Sequence, residues 1–342
     1  MMKTVSHRFS QHTTQYHLGA ALADLDKFVN PQRSVLLVDE HVDQHYASQL
    51  AGWKKIIVPA GEDNKNMAVV GQLIDQLAAL EADRKTTLVG IGGGMCTDVT
   101  GFVAAIYMRG VPFGFVPTTL LAQVDASLGG KNGVSQGMHK NLLGTIRQPD
   151  FILFDYTLPR TMPPAEWHNG FAEIIKYACI QDEALFHFLE TNVDKALQGD
   201  VAVLQYLVER SVDTKTRIVL EDEFETGVRR WLNFGHTLGH AVEKLEHIGH
   251  GEAVSIGMVA ASRLSEMKKG FPAAETERLV RLLQAYQLPV KLTSDKQQVF
   301  DIFRLDKKRE KDFIHFVLLE RIGQATTEPI LLTELQQLLE KL

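Results

Sequence analysis

A change of hydrophobic period partway along the chain limits what it can fold into. In the first half, short apolar runs alternate with helical stretches. From Gly170 onward the apolar spacing is that of helices almost throughout. The segments 34–39 (SVLLVD), 55–58 (KIIV), 86–91 (TTLVGI) and 113–116 (FGFV) read as buried strands, with 67–80 and 98–108 as the helices between them. That alternation predicts a parallel sheet with helices on both faces. The later helices are expected over 170–180, 185–192, 201–221, 236–246, 251–268 and 274–286, then a β-like run at 313–319 and a helix from Thr333. The Pro-punctuated stretch 148–164 is the expected boundary, giving an α/β domain over 1–164 and a mainly α-helical domain over 165–342. A chain of 342 residues is long enough for about two domains.

The strand TTLVGI runs into Gly92-Gly93-Gly94-Met95-Cys96-Thr97-Asp98, and a helix follows. Glycines there let a backbone approach a pyrophosphate, and a helix N-terminus supplies N–H groups and a positive dipole end. The physical logic is that of a Rossmann-like dinucleotide site, although Thr97 stands where the usual pattern has its third glycine and no acid follows at the customary distance. Asp39, at the end of the first of these strands, can serve a ribose instead. Asp98 has the simpler explanation of a carboxylate favoured by the helix dipole. Pro117-Thr118-Thr119 brings hydroxyls to the same edge.

The stretch WLNFGHTLGHAVEKLEHIGHGE places His236, His240, His247 and His250 close together. At about 100° per residue, His236, His240 and Glu243 share one stripe of a helix, with Leu238, Ala241, Val242 and Leu245 opposite. Two imidazoles one turn apart can share a metal ion. A solvated His/Glu face explains the pair equally well, and His250, at the start of the next helix, tips the balance toward a metal. A zincin motif is excluded, because Thr237 occupies the position of its glutamate.

Polar side chains also fall where apolar ones belong. Lys215 lies in the stripe formed by Leu204, Leu207, Val208, Val212, Ile218 and Val219, and an unpaired lysine there is costly. Glu173, Lys176 and Tyr177 line up in GFAEIIKYACI, either as an ordinary helix salt bridge or as a carboxylate ligand beside a substrate-facing cation. Lys131 and Lys140 sit on glycine-rich loops suited to gripping an anion. The run DKKREKD at 306–312 reads as a solvated loop.

The net charge of −6 argues against a nucleic-acid surface. No apolar run approaches the ~20 residues of a membrane span, and MMKTVSHRFSQHTTQYH lacks the apolar core of a signal peptide. With only Cys96 and Cys179, no disulfide framework is expected, which fits a reducing cytoplasm.

Six blocks in register, GFVPTTLLAQVDASLGGK (114–131), HKNLLG (139–144), GFAEIIKY (170–177), DEFETG (222–227), LNFGHTLGHAVE (232–243) and HGEAVSIGM (250–258), resemble the 3-dehydroquinate synthases, within the sugar phosphate cyclases. The resemblance covers roughly 39–308. It implies a dehydroquinate synthase-like fold and makes Glu173, His236 and His250 the ligands of one divalent metal, zinc by expectation and cobalt as the alternative. That set differs from the His236–His240 pair of the helix argument: His240 moves to the substrate. The resemblance implies NAD held by Asp39, Glu62, Lys65, Gly93, Gly94, Asp98, Thr118, Thr119, Lys131 and Lys140, with Leu158 and Thr161 nearby. It gives substrate groups to Asp125, Lys131, Asn141, Lys176, Lys215, Arg229, Asn233 and His240. Arg109 resembles an arginine donated across a homodimer interface, and Lys307 and Lys308 become phosphate contacts. Two departures, Thr97 and Asn132-Gly133, affect loop shape around NAD rather than reaction class.

The implied reaction turns the sugar phosphate 3-deoxy-D-arabino-heptulosonate 7-phosphate into 3-dehydroquinate and phosphate. It proceeds by transient oxidation with NAD, phosphate elimination, reduction and intramolecular aldol closure. Rival readings are another sugar phosphate cyclase, a metal-dependent polyol or alcohol dehydrogenase, and a catalytically dead nucleotide-binding module. A dehydrogenase would accumulate NADH and would not need Lys131, Lys176, Lys215 and Arg229 together. A dead module would have broken ligand positions.

Overall fold

In the computed structural model, residues 2–137, 139–305 and 312–341 are described, and Lys307 and Lys308 lie outside them. The chain divides into two compact units, Met1–Pro163 and Pro164–Leu342.

Among the described residues the first unit carries nine strands: β1 (Lys3–Arg8), β2 (Thr13–Leu18), β3 (Ser34–Asp39), β4 (Lys54–Val58), β5 (Thr87–Gly92), β6 (Phe113–Pro117), β7 (Lys131–Gln136), β8 (His139–Ile146) and β9 (Phe151–Phe154). Its helices are α1 (Glu40–Tyr46), α2 (Met67–Ala79) and α3 (Gly94–Ile106). Seven strands form one sheet in the order β1-β2-β9-β6-β5-β3-β4, parallel except for the β1–β2 pair. Strands covered on both faces read as continuous apolar runs, which is why SVLLVD and TTLVGI stood out. Val89 and Ile91 pack with Leu36, Val38 and Val42 of α1 on one face. Gly90 points the other way, onto Thr100 of α3, where a Cβ would lie 2.7 Å from the Thr100 hydroxyl.

The apolar spacing did not predict helix α1, nor three further pieces of this unit. The β1–β2 hairpin and β9 extend the sheet at one edge, and β7–β8 forms a separate antiparallel hairpin where glycine-rich loops were expected. Every residue of β8 from His139 to Gly144 is exposed, so no alternation was there to be seen. The helix expected at 98–108 starts earlier, at Gly94, and stops at Ile106. Met108 (φ 48°), Arg109 (φ 67°) and Gly110 (φ 116°) end it in a left-handed turn that no helix can continue.

The second unit is helical: α4 (Pro164–Gln181), α5 (Glu183–Thr191), α6 (Val193–Leu197), α7 (Val201–Glu221), α8 (His236–Glu246), α9 (His250–Lys269), α10 (Ala273–Ala285), α11 (Lys296–Leu305) and α12 (Leu332–Leu339). A hairpin of β10 (Phe313–Arg321) and β11 (Gln324–Leu331) completes it. Its core joins Leu238, Ala241 and Val242 of α8 to Ile256, Ala260 and Leu264 of α9, Phe303 of α11 and Phe316 and Leu318 of β10. Burying the apolar stripe of α8 turns the opposite stripe, with His236, His240 and Glu243, away from that core.

Glycines set how closely α8 and α9 approach. A Cβ on Gly257 would stand 1.8 Å from the Gly235 carbonyl oxygen, and one on Gly239 would stand 2.9 Å from that of Ala253. Gly235 also takes a left-handed conformation (φ 76°) that a side chain would strain. The N-terminus of α9 is tied to α4 by the Gly251 amide, which donates to Asn169 Oδ1 at 2.8 Å.

Candidate metal centre and active site

Three helices of the second unit bring Glu173 (α4), His236 (first residue of α8) and His250 (first residue of α9) together. Glu173 Oε1 lies 3.3 Å from His236 Nε2 and 3.4 Å from His250 Nε2. The three donor atoms lie within 4.8 Å of one another. His240, Glu243 and His250 form a second such group, so His250 belongs to both. The His240 ring sits 5.5 Å from that of His236, beside the acid-and-imidazole cluster. His247 is not a partner in either group: it ends α8 in a left-handed conformation (φ 53°), its amide donating to the Glu243 carbonyl at 3.1 Å.

The electrostatics of this corner suit a cation. Glu173 is fully buried, and burial alone would raise its pKa. The Lys176 ammonium beside it overcomes that and holds the carboxyl well below the usual range. Burial and the Lys176 charge depress His236, keeping it neutral. Its Nδ1 lies 3.1 Å from the Phe234 carbonyl, which can only accept, so Nδ1 carries the proton. The bare Nε2 lone pair then faces a carboxylate oxygen. A lone pair facing a carboxylate oxygen in this way suits a cation held between the two. His250 behaves oppositely. Burial lowers its pKa, but hydrogen bonds to Glu173 and Glu243 push it up to about 9. Its Nδ1 lies 3.5 Å from Glu243 Oε2.

Lys176 contacts Glu173 directly, and its Nζ stands 4.9 Å over the Tyr177 ring. Both charges are buried, so this is not the exposed helix pair that the spacing alone allowed. Such a pair holds only where further groups meet the charges. Lys215 is buried on α7. Arg229 is 2 % exposed, and its guanidinium donates to the Glu223 carbonyl. The loop before it folds around Asp222, whose carboxylate accepts from the amides of Thr226 (2.9 Å), Gly227 (2.7 Å) and Arg229 (3.0 Å). Asp222 was not among the expected site residues, although it opens the DEFETG block at 222–227. Asn233 Nδ2 donates to Glu225 Oε1 at 3.0 Å.

In the first unit, the strand order reverses between β3 and β5, and crevices at such reversals bind ligands at the carboxyl ends of the strands. Asp39 ends β3 and caps α1, accepting from the His41 amide at 2.9 Å. Gly92, Gly93 and Gly94 join β5 to α3. A Cβ on Gly92 would lie 2.9 Å from that of Asp39, and one on Gly93 would lie 3.1 Å from Thr119 Cγ2. The Thr118 amide donates to the Gly92 carbonyl at 2.9 Å. The loop therefore meets Asp39, Thr118 and Thr119 at one edge, with a bare helix N-terminus open to an anion. Buried Lys65 pairs with Asp98 at 2.6 Å and lies 3.8 Å from Glu62. The Ser135 amide of β7 donates to the Lys65 carbonyl at 2.8 Å, tying the β7–β8 hairpin to that segment. Leu158 is buried and its carbonyl accepts from the Thr161 hydroxyl at 3.1 Å.

The remaining residues expected in the site are less concentrated. Asp125 belongs to a wide turn, Ala122–Ala126, closed by the Ser127 amide on the Ala122 carbonyl at 3.2 Å. Lys131 opens β7, while Lys140 and Asn141 (φ 50°) lie on exposed β8. Arg109 is exposed on its left-handed turn. The two sequence departures have local explanations. The buried Thr97 hydroxyl donates to the Gly94 carbonyl at 2.9 Å, inside the first turn of α3. Asn132 Nδ2 donates to the carbonyls of Gly130 (2.9 Å) and Arg147 (3.0 Å). Its side chain fills the place of a Gly101 Cβ, which would lie 1.9 Å from Asn132 Oδ1.

A Rossmann-like sheet followed by a helical unit is the fold this chain shares with solved sugar phosphate cyclases. Two solved structures carry the likeness. A 2-deoxy-scyllo-inosose synthase complexed with carbaglucose-6-phosphate, NAD+ and Co2+ is 26% identical with a TM-score of 0.87, over 99% of this chain and 100% of that one. The 2-epi-5-epi-valiolone synthase of Streptomyces hygroscopicus subsp. jinggangensis, with NAD+ and Zn2+ bound, is likewise 26% identical with a TM-score of 0.87, over 99% and 98%. Models of the 3-dehydroquinate synthase N-terminal and C-terminal regions match residues 55–169 and 170–309. A 3-dehydroquinate synthase of Pseudoalteromonas atlantica is 38% identical over 318 residues, 90% of this chain and 89% of that protein. The chain belongs to the 3-dehydroquinate synthase family, enzymes that eliminate phosphate from their substrate.

Proposed function

We propose that this enzyme converts 3-deoxy-D-arabino-heptulosonate 7-phosphate into 3-dehydroquinate and phosphate, with one divalent metal held by Glu173, His236 and His250. The observation that carries this reading is the opposition of the bare His236 Nε2 to the buried Glu173 carboxylate, with His250 3.4 Å from the same oxygen. One acid and two imidazoles leave coordination positions open, as a catalytic rather than structural site requires. Zinc suits this donor set, and cobalt is the alternative. The relatives solved with NAD+ and Co2+ or Zn2+ support the same choice. When bound, the metal supplies polarisation of a secondary alcohol, and NAD supplies a transient hydride acceptor that is restored each turnover.

The chain's own residues orient and neutralise the substrate. Lys176, Lys215 and Arg229, all buried in the second unit, are assigned to its anionic groups, where fixed cations gain rate by positioning. Asn233 and His240 are assigned to its hydroxyls and to proton movement. Asp125, Lys131 and Asn141 are assigned to substrate from the first unit. NAD is assigned to Asp39, Glu62, Lys65, Gly93, Gly94, Asp98, Thr118, Thr119, Lys131 and Lys140, with Leu158 and Thr161 beside it. The glycine turn and the bare N-terminus of α3 fit a pyrophosphate.

A homodimer is the proposed assembly, with Arg109 its shared residue, and sedimentation of the R109A variant tests it. Cytoplasmic residence is proposed on the two buried free cysteines. No helix among the described residues is long and apolar enough to cross a membrane. The deciding assay for function measures phosphate release from the heptulosonate phosphate with NAD in catalytic amount, with and without a chelator. Steady accumulation of NADH without phosphate would instead establish a dehydrogenase.

A further inference from the structure

We infer that Glu243 is a positioning residue for the metal, its carboxylate accepting the Nδ1–H of His250 and so aiming Nε2 at Glu173 and His236. The inference rests on the proposed ligand set. His250 is gripped from both sides, with Nε2 3.4 Å from Glu173 Oε1 and Nδ1 3.5 Å from Glu243 Oε2. A carboxylate only accepts, so once a metal takes the Nε2 lone pair the remaining ring proton sits on Nδ1, facing Glu243. His236 has the equivalent arrangement, its Nδ1 3.1 Å from the Phe234 carbonyl. One imidazole is therefore oriented by a backbone oxygen that no substitution removes, and the other by a side chain that can be changed. Outer partners of this kind set ring orientation and ligand basicity.

The placement is rigid. Glu243 shares the polar stripe of α8 with His236, and α8 meets α9 in backbone contact at Gly235, Gly239 and Gly257. The register between Glu243 and His250 is thus fixed by helix packing. His240, Glu243 and His250 could alternatively seat a second ion. That seat would use His250 Nδ1 and leave the catalytic ligand without an orienting hydrogen bond, so the single-metal arrangement accounts for both nitrogens.

The test compares zinc dissociation constants of the wild-type full chain, E243A and E243Q by competition with a chromophoric chelator, beside visible spectra of the cobalt-loaded proteins. E243A should bind zinc about 10–100-fold more weakly, with shifted cobalt bands. E243Q should recover part of the loss, since its amide oxygen still accepts from Nδ1–H and its size preserves packing. Wild-type affinity and an unchanged cobalt spectrum in both variants would overturn the inference. So would loss of a second zinc equivalent with the first unaffected, since Glu243 would then be a ligand. Failure of the underlying reading looks different: E173A would bind zinc as tightly as the wild type.

Discussion

Substituting alanine at Gly257 tests whether backbone contact between two helices builds the metal centre. The added Cβ would stand 1.8 Å from the Gly235 carbonyl oxygen, 2.8 Å from its carbon and 2.9 Å from the Gly239 nitrogen. All three are backbone atoms, so no side-chain rotation relieves the clash. An attractive carbon contact needs roughly 3.5 Å, so α8 and α9 must separate by more than 1 Å. Overpacking of that kind costs about 1–3 kcal/mol, and more where backbone must move. For a unit of this size, each kcal/mol lowers the melting temperature by roughly 2–4 °C. The displacement falls at the start of α8, beside His236, while His250 stays on α9. Misplacement by ~1 Å of groups that act together costs on the order of 100-fold in rate. Calorimetry, zinc content after dialysis and phosphate release would be measured on the same preparation. A G257A protein with wild-type melting, full zinc and full turnover would refute the claim that helix contact holds the imidazoles in place.

Four other outcomes follow from the geometry. E173A or H250A should lose metal and activity together, and full zinc occupancy with normal turnover in either would remove that residue from the ligand set. Gly71, on the exposed side of α2, has nothing within 4 Å of its would-be Cβ, so G71A should stabilise the protein by about 0.5–1 kcal/mol; a fall in melting temperature would contradict this. D222A removes the acceptor of three amides in the loop before Arg229, so KM for the sugar phosphate should rise more than kcat falls, and an unchanged KM would argue against that placement of Arg229. Burial raises the Asp222 pKa but the amides of Thr226, Gly227 and Arg229 lower it further, so its folded value lies below the ordinary 3.8. Its stabilisation is therefore present above pH 3.8 and lost as pH falls through the folded value, and the melting gap between wild type and D222N should close in acid.

Much of the fold was legible because burial on both faces leaves an unbroken apolar run. SVLLVD and TTLVGI needed no context to be read as strands. The β7–β8 hairpin was not legible, since β8 is exposed along most of its length and carries glycine where a strand former would announce itself. Helix α11 and strand β11 were missed for a related reason. The polar residues of KQQVFDIFRL and the proline of QATTEPIL obscure a periodicity that packing against β10 and α12 completes.

The site divides in the same way. Helical spacing put His236, His240 and Glu243 on one stripe, and the structure keeps them there. Spacing also suggested pairing His236 with His240, whereas Glu173 and His250 approach His236 from other helices. No period within one helix can reveal a carboxylate contributed by α4 to α8. Lys176 illustrates the limit: its distance from Glu173 along α4 fits an exposed salt bridge, and only burial makes it a buried cation beside the imidazoles.

Local sequence alone therefore determined the periods, the glycine turn after β5, and the residue types able to bind a metal and an anion, because each depends on neighbours a few positions away. Tertiary structure decided which acid meets which imidazole, which ring nitrogen keeps its proton, and how near two helices come. Those outcomes depend on atoms far apart in the chain, and only the closed packing of α4, α8 and α9 fixes them.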